Sequence, residues 1–217
     1  MTDNFKLIKD LIQSQWGGQF DSFTDVFYTI EIIGRAKDNA SIIAGNHKFK
    51  TYYIKSMKDL DKYEQEIKTL CDTLNMRAYI SINHKSMKHV TLSTMAEYAN
   101  RIAQDNFNKP YSVFDSCAAK YVERAEQLWI IDVDKDDVEH YSNNGPVTLG
   151  YLVDYYIKIV ESCAPKKKIV TVIPTKSGVH IITHPFNTIQ FGEHAHWKSI
   201  DALVKKNHLT LLYENIK

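Results

Sequence analysis

The chain has 217 residues, 44% of them hydrophobic and 24% charged, with a formal net charge of +1. That length can bury a real core and suits one large or two small domains. The near-neutral balance argues against a protein that coats nucleic acid by charge alone, so a local basic groove is the route left to such a partner. No apolar run approaches the roughly 20 residues that a membrane span needs, and Met1 to Gln15 hold no signal-peptide core. Cys71, Cys117 and Cys163 lie far apart with no Cys-x-x-Cys pair, which reads as reduced thiols without zinc-ribbon spacing. The expectation is a cytoplasmic protein with no membrane partner.

Phe5, Leu7, Ile8, Leu11 and Ile12 recur at helical spacing, so residues 4 to 15 read as an amphipathic helix that Gly17-Gly18 ends. Asp25 to Ile33 is rich in β-branched and aromatic residues and reads as a strand, with Gly34 to Asn39 as a loop. Phe49 to Ile54 is a second strand, preceded by a solvated loop at Gly45-Asn46-His47-Lys48. Met57 to Leu74 places Leu60, Tyr63, Ile67, Leu70, Cys71 and Leu74 on one helical face. Arg77 to Ile82 alternates as a strand, Ser93 to Gln104 reads as a helix, and residues 105 to 120 are mixed around Pro110. Arg77 and the cluster Asn83-His84-Lys85 are candidate nucleic-acid contacts, although a solvated loop is the better account of any one of them taken singly.

From Gln127 onward the pattern is cleaner. Leu128 to Val133 is a strand, and Thr148 to Ser162 is a helix with Leu149, Leu152, Val153, Tyr156, Ile157 and Val160 inward. Ile169 to Ile173 is an apolar strand after the basic run Lys166-Lys167-Lys168. Pro174 to Gly178 is a turn, Val179 to Thr183 a returning strand, Trp197 to Lys206 a helix, and Leu209 to Tyr213 a last strand. The order βαββαβ is the split βαβ or ferredoxin-like unit. The expected fold is therefore α+β, an N-terminal α/β module (1–126) packed on an RRM-like βαββαβ unit (127–217) with an antiparallel sheet.

Two stretches carry chemistry. In Trp129-Ile130-Ile131-Asp132-Val133-Asp134, positions i and i+2 share a strand face, so both carboxylates point one way. Two like charges that close repel, and a shared divalent cation such as Mg2+ or Mn2+ relieves them. The second stretch is Ser177-Gly178-Val179-His180. Right-handed crossovers and one hairpin give strand order 4-1-3-2, which sets the end of the first strand beside the start of the third. Asp132, Asp134 and His180 should then converge at one sheet edge. Gly178 would admit a phosphate close to the backbone, with Lys176 as cation and Ser177 as donor. Read jointly, these residues make a site for metal and triphosphate.

The hydrophobic-Asp-x-Asp strand, followed by Ser-Gly-x-His on a later strand, resembles the first two motifs of the archaeo-eukaryotic primase superfamily. The resemblance implies a small α/β module joined to an RRM-like unit. It further implies metal on Asp132 and Asp134, and nucleotide phosphates at Ser177 and His180. Implied partners are a nucleoside triphosphate, a single-stranded DNA template and other replication proteins such as a helicase. The small size hints at a phage or mobile element in a bacterial cytoplasm. One departure stands out. The family's third acid should fall near the start of the last strand, which here reads Lys205-Lys206-Asn207-His208-Leu209. Asn207 as a neutral ligand, Asp201 and Glu214 are the stand-ins, although Glu214 closes the strand about 13 Å away. Glu193-His194-Ala195-His196 is a weaker metal pattern, better read as polar loop or helix-start residues. The leading function is template-directed nucleotidyl transfer. The alternatives are a binding module that has lost catalysis and a metal-dependent phosphoesterase.

Overall fold

The computed structural model describes residues 1–36, 38, 46–121, 127–142, 147–165, 169–194 and 199–215. The Lys166–Lys168 run and residues 195–198 lie outside that set. The architecture is α+β, built on two antiparallel sheets. After a two-residue strand β1 (Thr2–Asp3), helix α1 (Phe5–Trp16) buries Phe5, Ile8, Leu11 and Ile12. It stops where Gly17 turns left-handed at φ 55° and its N–H closes on Gln13 O, a conformation that glycine adopts without a Cβ penalty.

Strands β2 (Val26–Arg35) and β3 (Asn46–Ile54) run longer than their apolar cores suggest. Gly34 and Arg35 pair with His47 and Asn46, so the loops expected there are strand ends. Helix α2 (Met57–Leu74) occupies the expected span. Ser56 Oγ caps it by accepting from the Asp59 N–H, and left-handed Asn75 ends it. Strand β4 (Arg77–Ser81) follows, then the short β5 (Lys85–Ser86), which pairs with the start of β2. Helix α3 (Met87–Ala103) begins well before Ser93, because Ser86 Oγ accepts from the His89 N–H and caps an earlier first turn. A single 3-10 turn (Pro110–Ser112) leads into α4 (Val113–Lys120).

The C-terminal part runs β6 (Trp129–Asp134), α5 (Lys135–Ser142), α6 (Leu149–Ser162), β7 (Ile169–Pro174), β8 (Gly178–Thr183), α7 (Thr188–Gly192), α8 (Ile200–Leu203), β9 (Val204–Lys205) and β10 (Leu209–Glu214). The expected helix from Trp197 to Lys206 is cut short, since Val204 and Lys205 pair with Ile131 and Ile130. The small sheet has the order β7-β8-β6-β9. Its fourth place is thus filled by two residues, and the last strand is elsewhere. β10 crosses into the large sheet, ordered β1-β10-β4-β2-β3, where it pairs with β4. A short apolar run fits a strand of either sheet, so the pattern of Leu209 to Tyr213 did not choose between them.

Alternation along β6 anchors it in two cores. Ile131 and Val133 join Leu152, Tyr156 and Val160 of α6 in one core, while Ile130 joins Ile30, Ile80 and Ile182 in the other. Burying those three β6 side chains contributes roughly 5–9 kcal/mol. Repulsion between two partly solvated carboxylates costs about 1–4 kcal/mol. The apolar anchoring of β6 thus outweighs the repulsion between its two acids. Among the described residues, no helix is long and apolar enough to cross a membrane.

Candidate functional site

β6 and β8 run antiparallel with Asp132 opposite His180 and Asp134 opposite Gly178. Directly opposed residues share a sheet face, so the four positions form one patch. His180 Nε2 stands 3.4 Å from Asp132 Oδ1, with the two side chains 14% and 31% exposed. Ser177 Oγ is 3.5 Å from Asp134 Oδ1. A Cβ on Gly178 would stand 1.9 Å from Val133 O and 2.8 Å from Asp134 Cα, so only glycine allows this approach of the hairpin to β6. Backbone bonds from Lys135 N to Ser177 O and from Thr175 N to Gly178 O, both 2.9 Å, lock the turn in place.

Asp134 also opens α5. Its N–H donates to Asp137 Oδ2 at 2.7 Å, the reciprocal half of a capping box. Asp134 therefore lies at the electropositive end of a helix, which favours an anionic side chain there. Asp137 is fully buried.

These residues line an open cleft of about 150 Å³. Asp132, Asp134, His180 and the turn Thr175–Ser177 form one wall, and Arg35, Arg77, Tyr79 and Leu211 of the large sheet form the other. Lys176 Nζ reaches Asp38 Oδ1 at 3.1 Å. Arg77 is buried and committed to carboxylates, 2.6 Å from Asp38 Oδ2 and 3.3 Å from Glu214 Oε2. Burial would raise the Asp38 carboxyl, yet hydrogen bonds from Arg77 and Lys176 hold it below its usual value. Arg77 so placed is a wall of the cleft rather than an exposed basic contact. Lys85 is buried as well and lines a different cleft.

The last strand reaches the site with a neutral side chain. Thr210 Oγ1 lies 2.9 Å from His180 Nδ1, at the strand start where a third acid was expected. Asn207 turns away, its amide donating to Tyr121 O at 3.3 Å. Glu214 is at the far end of β10, paired with Arg77. Asp201 is an exposed residue of α8 whose backbone carbonyl accepts from Lys205 Nζ. None of the three lines the cleft of Asp132 and Asp134. Glu193 and His194 close α7, and His194 O accepts from Tyr155 OH.

Among the described residues, no group of three or more His, Cys, Asp and Glu side chains is gathered for a metal. The donor set present is two carboxylates on one face beside an open cleft. That set suits Mg2+ or Mn2+, hard cations commonly held by one or two carboxylates, with water and substrate phosphate oxygens completing the shell. Asp38, Asp137, Thr210 and Arg35 escaped the sequence reading. Only the Asp134-x-x-Asp137 spacing carried a signal, as a helix start.

Comparison of the chain with protein-family models, curated proteins and solved structures found no match.

Proposed function

We propose that the chain is a metal-dependent nucleotidyltransferase of primase or primase-polymerase type, making or extending a strand on a single-stranded DNA template. In this reading the small sheet with α6 corresponds to the RRM-like unit. The observation that carries it is the register of β6 and β8, with Asp132 opposite His180 and Asp134 opposite Gly178 at an open cleft. Asp132 and Asp134 hold Mg2+ or Mn2+. A cation held there would supply a lowered pKa for an attacking 3′-hydroxyl and charge to offset the triphosphate. His180, oriented by Thr210, presents Nε2 toward that charge. Ser177 supplies a hydroxyl donor from the turn. Lys176 supplies a cation, after exchanging Asp38 for phosphate. Gly178 serves the site by letting the hairpin close on β6, whose backbone fills the space expected for a phosphate.

The test is incorporation of labelled nucleotide on a single-stranded DNA template, with and without primer, in Mg2+ and then Mn2+. The Asp132→Ala/Asp134→Ala double variant runs beside it. Metal-dependent product that the double variant loses supports the reading, and full activity in that variant defeats it.

The neutral Thr210 favours a second reading, a nucleotide-binding module of the same fold that no longer turns substrate over. It expects triphosphate to bind with no product formed. Product from the purified protein removes it.

A further inference from the structure

Tyr79 of the first cleft pairs in register with Glu31, and Glu31 in turn pairs with Thr51, so these residues share one face of the large sheet. On that face a second cleft of about 120 Å³ opens among Thr29, Glu31, Tyr53, Ser81, Lys85 and His208. His208 lines this second cleft. Burial first, and then Lys205, push its pKa down, so it presents a neutral edge at pH 7.

Lys85 is 4% exposed. Its ammonium has three N–H donors, yet it makes no hydrogen bond and no ion pair with any described residue. Lys85 lines the cleft, so an acceptor entering there would take up donors that no described protein group holds. The charges around it decide what kind of acceptor. Lys48 Nζ lies 3.5 Å from Glu31 Oε1 and 2.8 Å from Asp115 Oδ2. Thr51 and Tyr53 also donate to Asp115. Two cations and two carboxylates cancel, so a phosphate would bring a surplus negative charge beside Glu31 and Asp115. A neutral ring with an acceptor next to an N–H donor adds none. It satisfies Lys85 through the acceptor and Glu31 through the N–H.

We infer that this cleft receives a nucleobase, with Lys85 donating to a ring acceptor and Glu31 accepting from the adjoining N–H. The base belongs to a bound single strand, which rests on the function proposed above, or to a free nucleoside, which does not.

The test is binding of fluorescent twelve-nucleotide thymidine strands in which the central base is thymine, guanine, adenine or cytosine. Wild type, Lys85→Met and Asp132→Ala/Asp134→Ala proteins are compared by anisotropy over a range of salt. Wild type should rank the four strands with a spread of at least fivefold, within the roughly five- to hundredfold range of a paired base contact. Lys85→Met should compress the spread below twofold with an unchanged salt slope, and the double variant should keep it. In a second arm, free nucleosides are tested for thermal stabilisation of wild type and Lys85→Met. Stabilisation lost in Lys85→Met, without strand preference, assigns the site to free nucleoside. Lys85→Gln replaces Lys85→Met if the latter fails to melt cooperatively.

Uniform weakening of all four strands, with a salt slope smaller by about 0.7, would mark a phosphate contact and overturn the inference. So would equal binding of every base by wild type with no nucleoside effect, or an unchanged ranking in Lys85→Met. Base preference without nucleotide incorporation leaves this inference standing while the polymerase reading falls, and the converse separates them equally.

Discussion

Asp132 and His180 face each other across β6 and β8 with Oδ1 3.4 Å from Nε2, and Thr210 holds the far side of the ring at 2.9 Å. An imidazole gripped at both nitrogens has one orientation, and the strand that supplies Thr210 belongs to the other sheet. The position of the histidine thus depends on how the two sheets pack.

That dependence separates two substitutions. His180→Ala removes the group that meets substrate and should lower nucleotide incorporation by about 10²–10³-fold. Thr210→Val keeps the volume but releases the ring, and should cost roughly 10-fold with most folding stability retained. Single-turnover incorporation beside thermal melting checks both. Equal losses in the two variants would mean that Thr210 does more than orient the ring.

Asp132→Ala/Asp134→Ala should abolish metal-dependent product while the protein still melts cooperatively, with relief of repulsion set against the loss of the anion at the start of α5. Removing two like charges from one strand face relieves repulsion, and the apolar anchors of β6 are untouched. A variant that unfolds at room temperature would show that the acids are structural.

Gly178→Ala tests the closeness of the hairpin. The new Cβ would fall within 1.9 Å of Val133 O, a backbone atom held in the sheet, so β8 must shift away from β6. A cost of about 1–3 kcal/mol is expected in chemical denaturation. Incorporation should fall with it, because the shift moves His180 relative to Asp132. Native stability and activity in this variant would mean that the strands are more compliant than their register implies.

Much of this was legible in the sequence where period and cap agree. Met57 to Leu74 has an apolar stripe and a Ser56 cap, and the helix spans those residues. The facing of Asp132 and His180 followed from alternation, right-handed crossovers and one hairpin. The destination of the last strand did not. Leu209 to Glu214 is buried wherever it pairs, and a short β9 takes the place beside β6. The absence of a third acid from the cleft was visible in Lys205-Lys206-Asn207-His208, but its replacement by Thr210 needed the chain crossing. Asp38 was illegible for a related reason. It is a loop residue whose partners, Arg77 and Lys176, lie far along the chain.

Thiol labelling probes the cores independently. Burial pushes the Cys71 thiol up to about 12 and raises Cys163 as well, while Cys117 is only partly buried. A bulky disulfide reagent at pH 8 should label about one thiol per folded chain and all three in denaturant. Rapid labelling of Cys71 in the native protein would contradict the packing of α2 on the large sheet.

The Arg77 cluster governs behaviour in acid. Arg77, Asp38 and Glu214 have side chains only 5%, 4% and 6% exposed, and breaking such a pair leaves a buried charge uncompensated. Arg77→Met should therefore destabilise by roughly 3–5 kcal/mol, well above the 0–1 kcal/mol of an exposed pair such as Lys50–Glu66. Asp38 titrates below its ordinary value of 3.8, since its hydrogen bonds to Arg77 and Lys176 outweigh burial. A carboxyl with a depressed folded pKa binds its proton more readily when unfolded. Its contribution is complete above the ordinary value and is lost as pH falls through the folded one. Wild type should lose stability steeply below about pH 4. Asp38→Asn should begin lower and show a flatter acid limb. Urea denaturation at pH 7, 5, 4 and 3 on wild type, Asp38→Asn and Arg77→Met measures this. Parallel acid limbs in wild type and Asp38→Asn would mean that other carboxyls carry the transition.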